Sequence, residues 1–217
     1  LQISGDIHTA VACLAAALND FPARKLRMIG VTGTDGKTTT TSMIYHILRS
    51  AGIQVGMITT VSALIGERVL DTGFHVTTPE SPDIQAYLAE MVRAGLTHCI
   101  LETTSHGLAQ GRVDACDFDA AVITNVTHEH LDYHGSYENY LRAKGLLFES
   151  LSKTPRKRIG NLRAAVLNKD DQSYAYLKRV SPERQVSYSM QNEASLWADE
   201  IDNQPTELGF TCHFGEE

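Results

Sequence analysis

The chain has 217 residues, of which 42% are hydrophobic and 21% are charged, so its composition is that of an ordinary globular protein. A formal net charge of −7 argues against a general nucleic-acid binder, although a few placed cations can still bind an anion. No apolar run approaches the roughly eighteen residues of a membrane span, and the first residues lack the basic-then-apolar order of a signal peptide. The four cysteines are scattered without a CxxC pair, which predicts free thiols in a reducing compartment. We expect a monomeric cytoplasmic protein without nucleic-acid or membrane partners.

The predicted elements follow one another in a regular order. Asp6 is a plausible N-cap for a first helix over residues 6–18, in which apolar residues recur at helical spacing. The elements that follow are a strand over 24–32, a helix over 37–49, strands over 55–60 and 64–70, a helix over 81–94, strands over 97–103 and 119–125, a helix over 136–151, a strand over 164–168 and a helix over 173–180. Three short strands over 185–190, 194–201 and 208–214 complete the order.

Strand and helix alternate between residues 25 and 180, which is typical of an α/β protein. The alternation predicts a mostly parallel sheet with helices on both faces. The last three short strands predict a small antiparallel β annex. Ligands in such sheets bind where strands end and helices begin, and the motifs richest in polar residues fall at such places.

The first motif is a glycine-rich turn between the predicted strand over 24–32 and the helix over 37–49. It consists of Gly33, Thr34, Asp35, Gly36, Lys37 and Thr38. Glycines let the backbone turn tightly, so that successive N–H groups and the helix N-terminus favour a phosphate. Lys37 adds a positive charge, and Thr38 places a hydroxyl where a phosphate-bound Mg²⁺ can use it. The spacing G-x-x-G-K-T is shorter than the standard phosphate loop, and the alternative is a glycine turn followed by a chance Lys-Thr pair.

The second motif is a carboxylate followed by a hydroxyl-rich turn. Glu102 lies where the strand over 97–103 ends, and a carboxylate beside a phosphate loop commonly coordinates Mg²⁺. Arg112 can clamp a carboxylate or a phosphate with two parallel hydrogen bonds. The turn between them also contains Thr104, Ser105, His106 and Gln110. Taken singly, each residue is also compatible with ordinary surface or loop chemistry.

The third motif combines histidines with a lysine on the long amphipathic helix. His128, His130 and His134 lie close together in the sequence, which leaves a zinc site open as an alternative. No cysteine lies nearby, however, and a phosphate loop predicts magnesium instead. Asn125 stands at another strand end. On pattern alone, Lys144 is a solvated or snorkelling lysine.

These stretches together resemble the Mur ligase family. Four segments carry the resemblance, in the family's order and approximate spacing: GTDGKTTT, TTPE (residues 77–80), ETTSHGLAQGRVD and TNVTHEHLDYHGSYENYLRAKGLLF. The resemblance implies a P-loop NTPase-like central domain of an ATP-dependent ligase in peptidoglycan synthesis. Such a ligase would activate the carboxylate of UDP-N-acetylmuramoyl-L-alanyl-D-glutamate as an acyl phosphate. The amine of a free amino acid would then displace phosphate and form an amide.

The resemblance also implies roles for the residues that match the family's motifs. Those that would hold ATP are Gly33, Thr34, Asp35, Gly36, Lys37, Thr38, Thr39 and Asn125. Those that would hold the UDP-muramoyl-dipeptide are Thr77, Thr78, Thr104, Ser105, Gln110 and Arg112. Two Mg²⁺ sites are implied, one at Thr38 and Glu102 and one at His130 and Lys144. Lys144 would carry a CO₂-derived carbamate, because an anionic oxygen ligand suits a hard cation better than an ammonium does. The residues implied in catalysis are Lys37, His130 and Lys144.

A division of the chain and several alternatives accompany the resemblance. Residues 1–23 would be an N-terminal helix and connector, and residues 24–217 the central ATP-binding domain, with the family's UDP-binding and amino-acid-binding domains absent from this chain. Asp35 stands where asparagine is more usual, so we expect its carboxylate to face away from the phosphates or to cap the turn. The alternatives are a ligase with a folylpolyglutamate-type or cyanophycin-type substrate, a P-loop NTPase or kinase, and a nucleotide-binding module without catalysis.

Overall fold

The computed structural model describes residues 6–72, 77–182 and 184–215, so residues 1–5 of the expected connector lie outside the described part. The helices are α1 (Ile7–Leu18), a 3₁₀ helix (Pro22–Lys25), α2 (Lys37–Ser50), α3 (Ser81–Arg93), α4 (Ser105–Ala109), α5 (Leu131–His134), α6 (Tyr137–Lys153) and α7 (Tyr174–Val180). The strands are β1 (Arg27–Thr32), β2 (Val55–Ile58), β3 (Ser62–Ile65), β4 (Arg68–Asp71), β5 (His98–Glu102), β6 (Ala120–Ile123), β7 (Ala164–Asn168), β8 (Gln185–Ser189), β9 (Leu196–Asn203) and β10 (Leu208–Phe214). Within these ranges, every helix is too short or too polar to cross a bilayer.

The strands form one sheet in the order β10-β9-β8-β7-β6-β1-β5-β2-β3-β4. β1 lies between β5 and β6 and runs parallel to both. Parallel pairing continues outward to β2 on one side and to β7, β8 and β9 on the other. The carboxyl ends of the three central strands therefore meet at one edge, where Val31 pairs with Glu102 and Thr32 pairs with Ile123.

Helices cover both faces of the sheet, which confirms the predicted α/β class. On one face, Tyr45 of α2 packs in a cluster with Ile100 of β5. On the other face, a larger cluster joins Ile84 of α3, Leu147 of α6 and Leu101 of β5. Ile100 and Leu101 are neighbours in one strand, and successive side chains of a strand point to opposite faces. The two clusters are thus the two cores of a three-layer domain.

Two predicted strands depart from the structure by more than two residues or by an added turn. Residues 64–70 do not form one strand, because β3 and β4 pair as an antiparallel hairpin that turns at Gly66 and Glu67. Because apolar residues lie on both sides of this turn, the sequence pattern shows no break between the two strands. The strand predicted over 24–32 begins only at Arg27, since Pro22 starts a 3₁₀ helix that runs to Lys25. Proline suits the first turn of a helix because its missing N–H has no partner there.

The end of the chain joins the main sheet. β8 pairs in parallel with β7, and β9 pairs in parallel with β8. The antiparallel part of the predicted annex is the β9–β10 hairpin at the sheet edge. The short helices α4 and α5 were not predicted, because four or five residues are too few to show a helical period.

The first helix forms as predicted, but its buried face is not the one that gave the periodicity. The Asp6 side chain accepts a hydrogen bond from the Thr9 N–H and so caps α1. The buried side chains are those of Ala12, Ala15 and Ala16. The larger apolar residues of the helix, Ile7, Val11, Leu14 and Leu18, are exposed.

Candidate active site

The phosphate-loop candidate lies between β1 and α2. Among the described residues, no side chain caps the N-terminus of α2, so its first N–H groups stay available to an anion. Gly33 passes close to the end of β6: a Cβ at this position would lie 1.8 Å from Thr124 Oγ1. Only glycine permits so close an approach. The loop is thus held against a neighbouring strand end.

Asn125, which follows β6, braces the loop through its backbone and its side chain. Its carbonyl accepts the Thr34 N–H at 2.8 Å, and its Oδ1 accepts the Asp35 N–H at 3.0 Å. The Asp35 carbonyl in turn accepts the Thr124 hydroxyl at 2.6 Å. These contacts involve the backbone of Asp35, and the residue itself is exposed.

Two lysines approach the loop from different helices. Lys37 Nζ donates to the Thr34 carbonyl at 2.7 Å, and Lys144 Nζ donates to the Gly33 carbonyl at 2.6 Å. Lys144 is only 1% exposed, and its Nζ lies 4.4 Å from the centre of the Tyr140 ring. The pattern-based interpretation of Lys144 as a solvated or snorkelling side chain is therefore wrong. Burial, and to a smaller extent the Lys37 ammonium, lowers the pKa of Lys144 to about 7.

Thr38 and Glu102 place two oxygen atoms that could coordinate a metal ion next to each other beside the loop. Thr38 Oγ1 donates to Glu102 Oε2 at 2.9 Å, and the Thr60 N–H approaches the same oxygen at 3.5 Å. Glu102 is 2% exposed, although carboxylates are rarely buried without a purpose. Mg²⁺ is commonly bound by one or two carboxylates together with phosphate oxygens and water. The chemistry of this pair fits such an ion.

The three clustered histidines do not converge on one point. The ring of His128 stacks on Tyr137 with 4.8 Å between centroids. His130 and His134 instead lie against His106, at 5.0 and 5.4 Å between ring centroids. Among the residues that the structure describes, no group of three or more His, Cys, Asp or Glu side chains could hold a metal ion. The zinc alternative therefore has no ligand set in that part of the chain.

His130 and Lys144 fit a metal ion only under one condition. As an ammonium, Lys144 would repel a cation, so the pair needs an anionic group on the lysine, such as a carbamate. The His130 side chain is 50% exposed, and its backbone φ of +54° lies in the left-handed region. Such a conformation is costly for a residue other than glycine and is often found at functional sites.

The segment before α3 and the end of β5 are joined by a threonine cluster formed by Thr77, Thr78 and Thr104. Thr104 Oγ1 lies 2.7 Å from Thr77 Oγ1 and 3.1 Å from Thr78 Oγ1. The Thr104 N–H donates to Thr78 Oγ1 at 2.9 Å. Thr104 is also the N-cap of α4, because its Oγ1 accepts the Gly107 N–H at 3.1 Å.

Arg112 extends the threonine cluster, and its guanidinium is already bound within the protein. It donates to the Thr78 carbonyl at 2.7 Å and to Gln110 Oε1 at 2.9 Å. It also forms an ion pair with Glu80 at 2.9 Å, in which the Arg112 side chain is 16% exposed. These contacts fix the plane of the guanidinium and partly neutralise its charge.

Residues of the loop and of the threonine cluster, together with His106 and His130, surround one cavity of about 390 Å³. The predicted site residues in its lining are Gly33, Lys37, Thr77, Glu102, Thr104, Ser105, Gln110, Arg112, His130 and Lys144. Thr78 is buried behind Thr104, and Thr34 bonds to the Tyr140 hydroxyl at 3.0 Å. Thr38 and Thr39 line an open groove along α2. The structure thus brings the three motifs together at the carboxyl edge of the sheet.

The sequence gives little sign of some residues around the cavity. Tyr140 is fully buried and contacts both Thr34 and Lys144. It precedes Lys144 by one helical turn, and this spacing places both on one face of α6. Thr60 and His106 also line the cavity. His106 was noted only as part of the turn, and Thr60 carried no signal of its own.

The fold and the site define an α/β domain in which the glycine-rich loop between β1 and α2 opens onto a polar cavity at the carboxyl edge of the sheet. Residues 31–217 match the Mur ligase middle domain, and the chain belongs to this family. The match confirms the resemblance drawn from the sequence motifs.

Curated relatives share about two fifths of their length with this chain. One is the UDP-N-acetylmuramoyl-L-alanyl-D-glutamate–2,6-diaminopimelate ligase of Geobacillus thermodenitrificans, which is 42% identical over 205 residues, covering 94% of this chain and 41% of that protein. Another is the UDP-N-acetylmuramyl-tripeptide synthetase of Deinococcus radiodurans, which is 41% identical over 205 residues, covering 94% and 39%.

Solved structures show the same architecture. A UDP-N-acetylmuramoyl-L-alanyl-D-glutamate–2,6-diaminopimelate ligase superposes with a TM-score of 0.74 and 31% identity, covering 86% of this chain and 37% of that one. A Mycobacterium tuberculosis folylpolyglutamate synthase complexed with ADP and AMPPCP superposes with a TM-score of 0.69 at 14% identity, covering 94% and 51%. The second likeness shows a common fold alone.

Proposed function

We propose that residues 24–217 are the ATP-binding middle domain of a ligase in peptidoglycan synthesis, and that residues 1–23 connect it to a further domain. The ligase would add an amino acid to UDP-N-acetylmuramoyl-L-alanyl-D-glutamate, in the cytoplasm and as a monomer. One observation carries the proposal: a single cavity is lined both by the phosphate-loop residues Gly33 and Lys37 and by Thr104 and Arg112. The names of the relatives support this class of substrate.

The phosphate side of the cavity would hold ATP. Lys37 and the first N–H groups of α2 would bind the phosphate oxygens, since both are directed to the loop. Thr38 and Glu102 would hold one Mg²⁺, and His130 with a carbamylated Lys144 would hold a second. Bound Mg²⁺ would screen the charge of the phosphate oxygens as an anionic substrate approaches.

The opposite side of the cavity would orient the substrate. Thr77 and Thr104 offer hydroxyl groups, and Arg112 offers a fixed cation. A substrate carboxylate oxygen would attack the γ-phosphorus, and the bond from that phosphorus to ADP would break. The incoming amine would then attack the acyl carbon, phosphate would leave, and the amine proton would pass to solvent. Holding the reacting groups next to one another would supply much of the rate enhancement.

Calorimetric titration with a non-hydrolysable ATP analogue, Mg²⁺ and bicarbonate tests the nucleotide part of the proposal. We expect the chain to bind the analogue and Lys37→Ala to lose most of that affinity, because its ammonium no longer faces the phosphates. Lys153→Ala, which removes an exposed lysine of α6, is the matched control and should bind like the parent. Equal affinity of the parent and Lys37→Ala would contradict a phosphate loop at this position.

The substrate class needs a separate titration, in which UDP-muramoyl-dipeptide is compared with a dihydrofolate-type carboxylate. We expect binding of the UDP-muramoyl-dipeptide that weakens in Arg112→Ala, while the nucleotide affinity stays unchanged. Preference for the folate-type ligand would favour the alternative ligase. Binding of nucleotide without either carboxylate substrate would favour a nucleotide-binding module. We expect little amide synthesis from this chain alone.

A further inference from the structure

The cavity wall contains a hydrogen bond that joins two motifs of the chain. Ser105, the first residue of α4, lines the cavity and is only 2% exposed. Its Oγ lies 3.1 Å from Nε2 of His134, the last residue of α5. His134 does not itself line the cavity, but it forms this hydrogen bond with a residue that does.

Both the backbone and the imidazole ring of His134 have contacts that fix their position. Its backbone N–H donates to the His130 carbonyl at 3.0 Å, and its carbonyl accepts the Asn139 Nδ2 at 3.0 Å. Its ring contacts those of His106 and Tyr140, at 5.4 and 5.3 Å between centroids. A ring fixed in this way can hold a hydroxyl in one rotamer, whereas a free serine hydroxyl rotates.

From this geometry we infer that His134 is a positioning residue, which directs the Ser105 hydroxyl toward the carboxylate substrate. The inference rests on the proposed function. His134 is also anchored to the candidate metal side of the cavity, because its backbone N–H donates to the His130 carbonyl, while its ring bonds Ser105 next to Thr104 of the threonine cluster. The direction of the Ser105 hydroxyl would thus be fixed before a substrate binds between these sides of the cavity.

The test is a comparison of KM and kcat in the complete ligase that contains this chain as its middle domain. His134→Phe keeps a ring and removes the hydrogen bond, so KM for UDP-muramoyl-dipeptide should rise about tenfold, as expected for one lost oriented hydrogen bond. KM for ATP should change by less than about twofold, because the lost hydrogen bond joins α4 to α5 and does not involve the loop of Gly33 and Lys37. His134→Gln offers an amide at a similar reach and should restore most of the affinity.

Two further variants separate positioning from mere packing. Ser105→Ala should raise the same KM, and combining it with His134→Phe should add little, because both changes remove one interaction. His128→Phe is the matched control, since His128 stacks on Tyr137 away from the cavity, and both KM values should stay unchanged.

Each other outcome overturns the inference. An active parent whose His134→Phe variant keeps its KM for the dipeptide shows that Ser105 needs no partner. Equal increases in both KM values, together with a loss of thermal stability, show a packing role only. A parent without ligase turnover refutes the proposed function and, with it, this inference.

Discussion

Lys144 offers a test of the site that requires no ligand. Its Nζ is buried beside the Gly33 carbonyl, and burial lowers its pKa from 10.5 to about 7. In the unfolded chain the ammonium is solvated and keeps its ordinary pKa. Between about pH 7 and pH 10.5 the unfolded state therefore binds more protons than the folded state. The free energy of unfolding should rise with pH across that range, and the burial penalty should be largest below pH 7.

The size of this effect follows from the two pKa values. Where Lys144 is neutral in the folded state and charged in the unfolded state, the free energy of unfolding changes by about 1.4 kcal/mol per pH unit. Because the folded lysine is half protonated at pH 7, its contribution between pH 7 and pH 9 should amount to about 2 kcal/mol. Other groups also titrate over this range, so the contribution must be measured as a difference between variants.

The assay is urea denaturation in bicarbonate-free buffer at pH 6, 7, 8 and 9, followed by circular dichroism. The perturbation is Lys144→Met, which keeps most of the side-chain volume and removes the charge. The unfolding free energy of the parent minus that of the variant should grow by about 2 kcal/mol from pH 7 to pH 9. Lys153→Met is the control, because this α6 lysine has 76% of its side chain exposed, and the corresponding difference should stay constant.

A difference between parent and Lys144→Met that stays flat from pH 7 to pH 9 would contradict a lowered pKa of Lys144. It would mean that Lys144 remains fully charged while buried, stabilised by the Gly33 carbonyl and the Tyr140 ring. The same flat result would follow if neighbouring carboxylates dominated, because both states would then stay protonated up to pH 9. Asp35 and Glu129 do raise the pKa of Lys144, but less than burial and Lys37 lower it.

Three more predictions address the proposed chemistry and the core. With ¹³C-bicarbonate, the parent should show a carbamate carbon signal by NMR that Lys144→Met lacks, because CO₂ reacts with the neutral amine; equal signals would place the adduct elsewhere. Glu102→Gln should weaken Mg²⁺-dependent nucleotide binding about tenfold in calorimetry without changing binding in EDTA, and an equal loss in both would contradict a metal role. Asp119→Asn should lower the free energy of unfolding by about 3–5 kcal/mol, because Lys157 Nζ, buried 2.6 Å from its carboxylate, loses its partner. Asp119→Asn combined with Lys157→Met should lose less in urea denaturation, and a larger loss would show that the pair is not the cause.

The position of the site could be predicted because it depends on the order of the elements. A parallel sheet places strand ends at one edge, so Glu102 and Asn125 had to lie near a loop that follows another central strand. The pairing of Val31 with Glu102 confirms this for β1 and β5. The motif residues between strand and helix were identified without knowledge of any tertiary contact.

Contacts between distant elements could not be predicted in the same way. The hairpin of β3 and β4 has apolar residues on both sides of its turn, and α4 and α5 are too short to show a period. The ion pair of Arg112 with Glu80 depends on how the loop after α4 meets the start of α3. The periodicity of a helix or a strand carries no information about contacts between separate elements.

The burial of Lys144 shows how one residue's role depends on a contact elsewhere. A Cβ on Gly30, inside β1, would lie 2.6 Å from Leu147 Cδ1, so α6 approaches the strand more closely than any side chain at position 30 would allow. Leu147 follows Lys144 by about one turn, and the two therefore share a face of α6. The close approach at Gly30 brings that face onto β1, and Lys144 reaches the Gly33 carbonyl just beyond the strand. A glycine inside a predicted strand indicates that another element approaches the strand closely, so the sequence pointed to a close contact at β1. The sequence did not indicate that α6 is the element that makes this contact.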